Sequence, residues 1–295
     1  MSAEPSVPST APGPALPRVG HISFLNCLPL YWGLRRTGGL DLVDLVQDTP
    51  DRLSDALVAG RLDAGPISLA EYLRHPEGLL LLPDLAVGSD GEVMSVTLVS
   101  RRPLTELGGR RVALGSTSRT SVVLARLLLE ERDGVRPEYV TQEPDLRAMI
   151  READAAVLIG DAALRASLGE AAELGLEVHD LGAAWRAWTG LPMVFAVWAV
   201  REEWYARDAD GVRAVHAAFV ASRDLAVARA AEVAAEAARW EPFAAADLER
   251  YFTALDFRLG ARQLAGVREF AARAADRLGA SPQPSLALLG GVAGA

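Results

Sequence analysis

The chain has 295 residues, half of them hydrophobic, and a formal net charge of −9. That length supplies more core than one domain of ordinary size needs, so two lobes are expected. The acidic balance, with no basic run and no apolar stretch of membrane-spanning length, argues against nucleic acid and membrane partners.

Residues 1–17 hold five prolines among small residues, without the basic start and apolar run of a secretory signal, and read as a disordered tail. Residues 18–22 form the first predicted strand. It runs into Ser23-Phe24-Leu25-Asn26-Cys27-Leu28-Pro29, where Pro29 opens a helix because its fixed φ and missing N–H cost nothing there. Strands follow at 41–47, 62–67, 79–82 and 93–100, with helices at 52–59 and 68–74. This alternation gives an α/β lobe with a largely parallel sheet. A second unit begins near 101, with strands at 111–114, 137–140 and 155–159 and helices at 118–131, 145–152 and 162–167. The strand 193–200 carries the chain back. Alanine-rich helices at 212–240, 245–255 and 261–278 have no strands of their own and are expected to pack on the first lobe. Residues 281–295 read as a loose tail.

The chain therefore divides into lobe one (18–100 and 200–280) and lobe two (101–199). They are joined by two crossings, near 96–100 and near 195–198, with a ligand cleft between them. This is the layout of a type II periplasmic-binding-protein fold.

Chemistry concentrates at strand-to-helix corners. Ser23 and Asn26 sit at the first. Ser116, Thr117, Ser118 and Thr120 lie in a loop that opens a helix, and hydroxyls beside free helix N–H groups suit a carboxylate or phosphate. The loop lacks the spacing and lysine of a nucleotide-binding P-loop. Ser68 occupies another corner, Ser95 precedes the first crossing, and Asp161 serves either as a helix cap or as a ligand contact. The single cysteine, Cys27, rules out an intrachain disulfide and fits a cytoplasmic protein; it reads as a small core residue. His21, His75, His179 and His216 have no metal-ligand spacing, and there is no nucleophile elbow or dinucleotide fingerprint. His21 reads as a structural strand histidine. An enzyme built this way would work without metal or cofactor, by positioning and polar contacts.

The 23–29 segment, the run from Gly60 to Ser68, the Gly115–Ser121 loop and Ile159-Gly160-Asp161 together resemble chorismate dehydratase, over about residues 18–278. The resemblance implies a cytoplasmic, cofactor-free hydro-lyase of the futalosine route to menaquinone. Chorismate, a dianion, would lose its ring hydroxyl as water and become 3-[(1-carboxyvinyl)oxy]benzoate. It places Asn26 and Ser95 at the reacting end as catalytic groups. Ser23, Ser68, the Ser116–Thr120 loop and Asp161 are left to hold substrate. Two other readings stand beside it: 1,4-dihydroxy-6-naphthoate synthase of the same route, and a solute-binding protein for a small anion.

Overall fold

The computed structural model describes residues 15–292, so residues 1–14 of the predicted N-terminal tail and 293–295 of the C-terminal one lie outside it. Two sheets carry the chain. The first is built from β1 (Arg18–Ile22), β2 (Asp44–Asp48), β3 (Ala64–Ser68), β4 (Leu79–Ser89), β10 (Met193–Arg201), β11 (Ala287–Leu288) and β12 (Gly291–Val292), in the order β12-β11-β4-β10-β3-β1-β2. The second holds β5 (Val96–Ser100), β6 (Arg111–Gly115), β7 (Glu138–Gln142), β8 (Ala155–Ile159) and β9 (Glu177–Asp180), in the order β7-β6-β8-β5-β9. The fold is thus α/β with two sheets, as expected.

The passages between the sheets lie just before the strands the sequence marked. Residues 90–95 lead from β4 into β5. The helix Leu181–Thr189 and residues 190–192 lead from β9 into β10. Sheet membership consequently changes near 95 and 192, rather than near 100 and 200 as the lobe boundaries above have it. The reason is pairing: β5 lies antiparallel between β8 and β9, and β10 lies antiparallel between β3 and β4.

Other departures are local. The strand at 79 runs on through Pro83 to Ser89, and the long helix expected over 212–240 is two, Ala209–Ala228 and Ala230–Ala237, broken at Arg229. The expected loose tail contributes β11 and β12 to the edge of the first sheet, Leu288 pairing with Leu81.

Helix α1 (Leu28–Arg36) carries Pro29 in its first turn and approaches the helix Ala209–Ala228 so closely that a side chain on Gly33 would strike the backbone of Ser222. Of the C-terminal helices, Ala209–Ala228 packs on α1 and β4 and Ala261–Leu278 on β10, while Ala230–Ala237 and Ala245–Ala254 pack mainly on one another. The last, Ala261–Leu278, also reaches the second unit, where Arg277 pairs with Glu130 and Glu131 at 2.8 and 2.6 Å. One core cluster spans both units, from Val19 and Ile67 to Leu114 and Trp185, and a second lies within the second unit around Val99, Met149 and Leu158.

Strand direction places the site. β1 and β3 run parallel, as do β6 and β8, so their carboxyl ends open toward one edge of each sheet. Antiparallel β10 sets Ala196 opposite Ser68, and antiparallel β5 sets Val96 opposite Ile159. The corners at Ile22, Ser68, Gly115 and Ile159 therefore face one cleft, where ligands sit in open α/β sheets.

Candidate active site

One cleft lies between the two units. The first unit lines it with Ile22, Phe24, Asn26 and Ser68 and the second with residues 117–121, Ile159 and Gly160; Ser95 enters from the crossing segment.

Asn26 is carried on a 3₁₀ turn, Leu25–Cys27, just ahead of α1. The Leu25 backbone N–H donates to Asp161 Oδ1 of the second unit at 3.0 Å. The Asn26 side-chain oxygen is buried and has no hydrogen-bond partner. An amide oxygen with no protein partner keeps its acceptor capacity for a ligand in the cleft. Burial raises the Asp161 carboxyl above the ordinary range, and the Leu25 N–H and Arg165 oppose that rise. Asp161 does not line the cleft; its carboxylate steadies the turn that bears Asn26. Gly160 has φ +60, and a Cβ there would lie 2.7 Å from the Phe24 ring, so only glycine lets that ring cover the corner.

Neighbouring reactive groups are silent. Cys27 is fully buried and its thiol is pushed far up by burial and by Asp161, which leaves no thiolate to act as nucleophile. The His21 ring lies 3.7 Å from the Tyr31 ring, away from the cleft lining, and burial lowers its pKa to about 4.

Ser95 is aimed by strained backbone. Met94 has φ +60, a conformation rare for a side-chain-bearing residue, and the Ser95 N–H closes a three-residue turn onto Val93 O at 2.7 Å. The turn is held from the second unit. Asp180 accepts the Val93 and Met94 N–H groups at 3.0 and 2.7 Å, and the Ser167 hydroxyl donates to Met94 O at 2.7 Å. Gly160 N donates in turn to Ser95 O at 2.8 Å. Strain fixed by several independent contacts is a pointer to function, and no residue pattern in the sequence announces it.

The hydroxyl loop divides its labour. Thr117 and Ser118 line the cleft, and the Thr117 hydroxyl is buried without a partner. Helix α4 (Thr120–Leu127) starts two residues later than 118. The Thr120 hydroxyl reaches across the cleft, accepting from Ala70 N at 3.1 Å and donating to Ser68 Oγ at 3.3 Å. Ser68 caps helix α3 (Leu69–Arg74) through Glu71 N at 3.3 Å. Ser116 turns away, donating to Glu143 at 3.1 Å, and Ser23 is exposed outside the lining. Of the residues singled out in the sequence, the cleft thus gathers Asn26, Ser68, Ser95, Thr117, Ser118 and Thr120 and leaves out Ser23, Ser116 and Asp161.

Two charged side chains line the cleft that sequence reasoning gave no site role: Asp51, whose Oδ1 is buried and unpaired, and Arg119, whose guanidinium is held by carboxylates of the first unit. Asp51 lies in the first turn of helix α2 (Pro50–Val58), where a carboxylate looks like ordinary cap chemistry. Among the described residues, no group of three or more His, Cys, Asp or Glu is placed to hold a metal ion, and no helix is long and apolar enough to cross a membrane. The lining offers hydroxyls, a carboxamide and helix N-termini, a donor set for carboxylates and for a hydroxyl in transit.

A family model described as menaquinone biosynthesis matches residues 17–276, and so takes in both sheets apart from the edge strands β11 and β12, and every corner of the cleft. The chain belongs to this family. Among its relatives is the chorismate dehydratase of Thermus thermophilus, 36% identical over an alignment of 192 residues that covers 61% of this chain and 68% of the relative. Solved structures share the fold at lower identity. A protein of Archaeoglobus fulgidus superposes with a TM-score of 0.71 at 18% identity, covering 88% of this chain and 97% of its own. The alkanesulfonate-binding protein of Xanthomonas axonopodis pv. citri, solved with MOPS, gives 0.65 at 19%, covering 95% and 98%. The fold of this chain is therefore periplasmic-binding-protein-like.

Proposed function

We propose that this chain is a chorismate dehydratase that removes water from chorismate to give 3-[(1-carboxyvinyl)oxy]benzoate in the futalosine route to menaquinone, working in the cytoplasm. The observation that carries the reading is the meeting of Asn26 and Ser95 in one cleft, in a chain of the menaquinone-biosynthesis family with a chorismate dehydratase among its relatives.

In the reaction, the ring carbon bearing the enolpyruvyl ether loses its proton, the neighbouring carbon loses its hydroxyl, and the electron pair of the broken C–H bond completes the aromatic ring. The proton reaches the departing hydroxyl by way of its acceptor, so the net loss is one water. The Asn26 carboxamide, whose oxygen has no protein partner, holds the reacting groups or polarises the departing hydroxyl through its NH2, and Ser95 hydrogen-bonds beside it. The substrate's own side-chain carboxylate takes the proton. Ser68, Thr117 and Ser118, together with the N–H groups opening α4, hold the carboxylates, which offsets the acidic field of the chain. Aromatisation makes the step strongly downhill, so the protein's task is to fix one reactive conformer. Incubation with chorismate, followed by mass analysis of the product, tests the reading. No conversion with retained binding would favour an anion-binding protein instead.

A further inference from the structure

Among the described residues that line the cleft, Arg119 is the one cationic side chain, yet it is not free to meet a substrate carboxylate. Its NH2 lies 2.7 Å from Asp55 Oδ1 on α2, and its NH1 lies 2.8 Å from Glu71 Oε2 on α3. Both carboxylates belong to the first unit, whereas Arg119 sits between β6 and α4 in the second. The Glu71 side chain is only 9% exposed and is also approached by Arg74 and His75, at 3.6 and 3.4 Å. One residue on, Thr120 receives the Ala70 N–H from the same helix end. The hydroxyl loop is thus fastened to α2 and α3 by a forked ion pair and a hydrogen bond, all spanning the cleft. A planar guanidinium suits such a fork, since it offers several donors at fixed angles.

We propose that Arg119 is a positioning residue, the pin of a clasp with Asp55 and Glu71 that holds the two units closed over the substrate and sets how readily chorismate and product exchange. The clasp biases an open–closed equilibrium, and apparent affinity scales with the closed fraction. Opening the clasp lowers that fraction without touching the reacting atoms, because substrate still closes the cleft at saturation.

The proposal rests on the dehydratase reading for its kinetic arm and not for its structural arm. Kinetics would be measured for Arg119→Met, for Asp55→Asn with Glu71→Gln, and for all three changes together. Exchange of backbone amide hydrogens would be followed in the peptide around Ala70, without substrate. The expected result is a KM raised about tenfold with kcat unchanged or higher in each variant, the triple variant no worse than either parent. Faster exchange around Ala70 accompanies it. Asp55→Asn alone, at a half-exposed position, opens one arm and serves if the buried changes do not fold. A fall in kcat at unchanged KM overturns the proposal. So does a rise in KM for Arg119→Met that the carboxylate variants do not reproduce, since Arg119 would then contact substrate itself. Unaltered exchange around Ala70 also overturns it. If wild-type protein leaves chorismate untouched, the dehydratase reading falls, and the exchange arm alone decides the clasp.

Discussion

Replacing Gly160 by alanine should disable the site out of proportion to the atom added. The new Cβ would stand 2.7 Å from Phe24 Cδ2, 2.8 Å from Cγ and 3.1 Å from Cε2. Carbon atoms rest at about 3.5–4.0 Å, so the ring must retreat by nearly an ångström. Holding a side-chain-bearing residue at φ +60 costs about 1–2 kcal/mol, and forcing a methyl into a packed contact about 1–3 more. The melting temperature should fall by several degrees, at about 2–4 °C per kcal/mol for a chain somewhat shorter than this one. Turnover should suffer far more. Phe24 leads directly into the turn that bears Asn26, and Gly160 N holds Ser95 O at 2.8 Å, so one displacement disturbs both residues proposed for the reacting end. A misplacement of about 1 Å costs on the order of a hundredfold in rate. Chorismate consumption and product mass give the rate, and calorimetry gives the stability. The double variant Gly160→Ala with Phe24→Leu, which trims the ring, should regain stability. A Gly160→Ala protein with wild-type rate and melting temperature would refute the reasoning.

Asn26→Leu should fold normally and lose about a hundredfold or more in turnover, because one preorganised polar contact is removed from a closed site; near-normal conversion by the folded variant would take Asn26 out of the mechanism. If, as proposed, the substrate's own carboxylate takes the proton, Asp51→Asn should keep turnover within a few-fold of wild type. A loss of several orders of magnitude, seen in the same product assay, would make Asp51 the base. The pH dependence of stability should carry a mark of His21, whose pKa falls from 6.5 to about 4 through burial. The unfolded chain takes up that proton first, so His21 costs nothing above pH 6.5 and destabilises increasingly as pH falls toward 4. Urea midpoints of wild type and His21→Phe, which keeps a ring against Tyr31, should therefore differ in slope across that window. Parallel curves would contradict the assignment.

The alternation of strands and helices was legible because each short apolar run is closed by a proline, a glycine or a capping residue, as at Pro29 and Gly60. The corners bearing Asn26, Ser68 and the hydroxyl loop were legible for the same reason. What was not legible depends on partners far along the chain. Ser95 looks like any strand serine until Asp180 and Ser167 are seen gripping the turn before it. Asp161 reads equally as cap or ligand contact until Leu25 N is found on its carboxylate. Arg119 reads as one more loop residue, since Asp55 and Glu71 reach it only through the fold. β9 and the helix Leu181–Thr189 escaped notice because two residues of the strand are exposed, which leaves little apolar pattern to read.

The central claim meets its most direct test when purified protein, chelated and desalted, is incubated with chorismate and the products are resolved by mass and ultraviolet spectrum. The account predicts an aromatic product of chorismate mass less one water, formed by wild type and not by the Asn26→Leu variant. Chorismate recovered unchanged, or converted only when a metal or cofactor is restored, would contradict it.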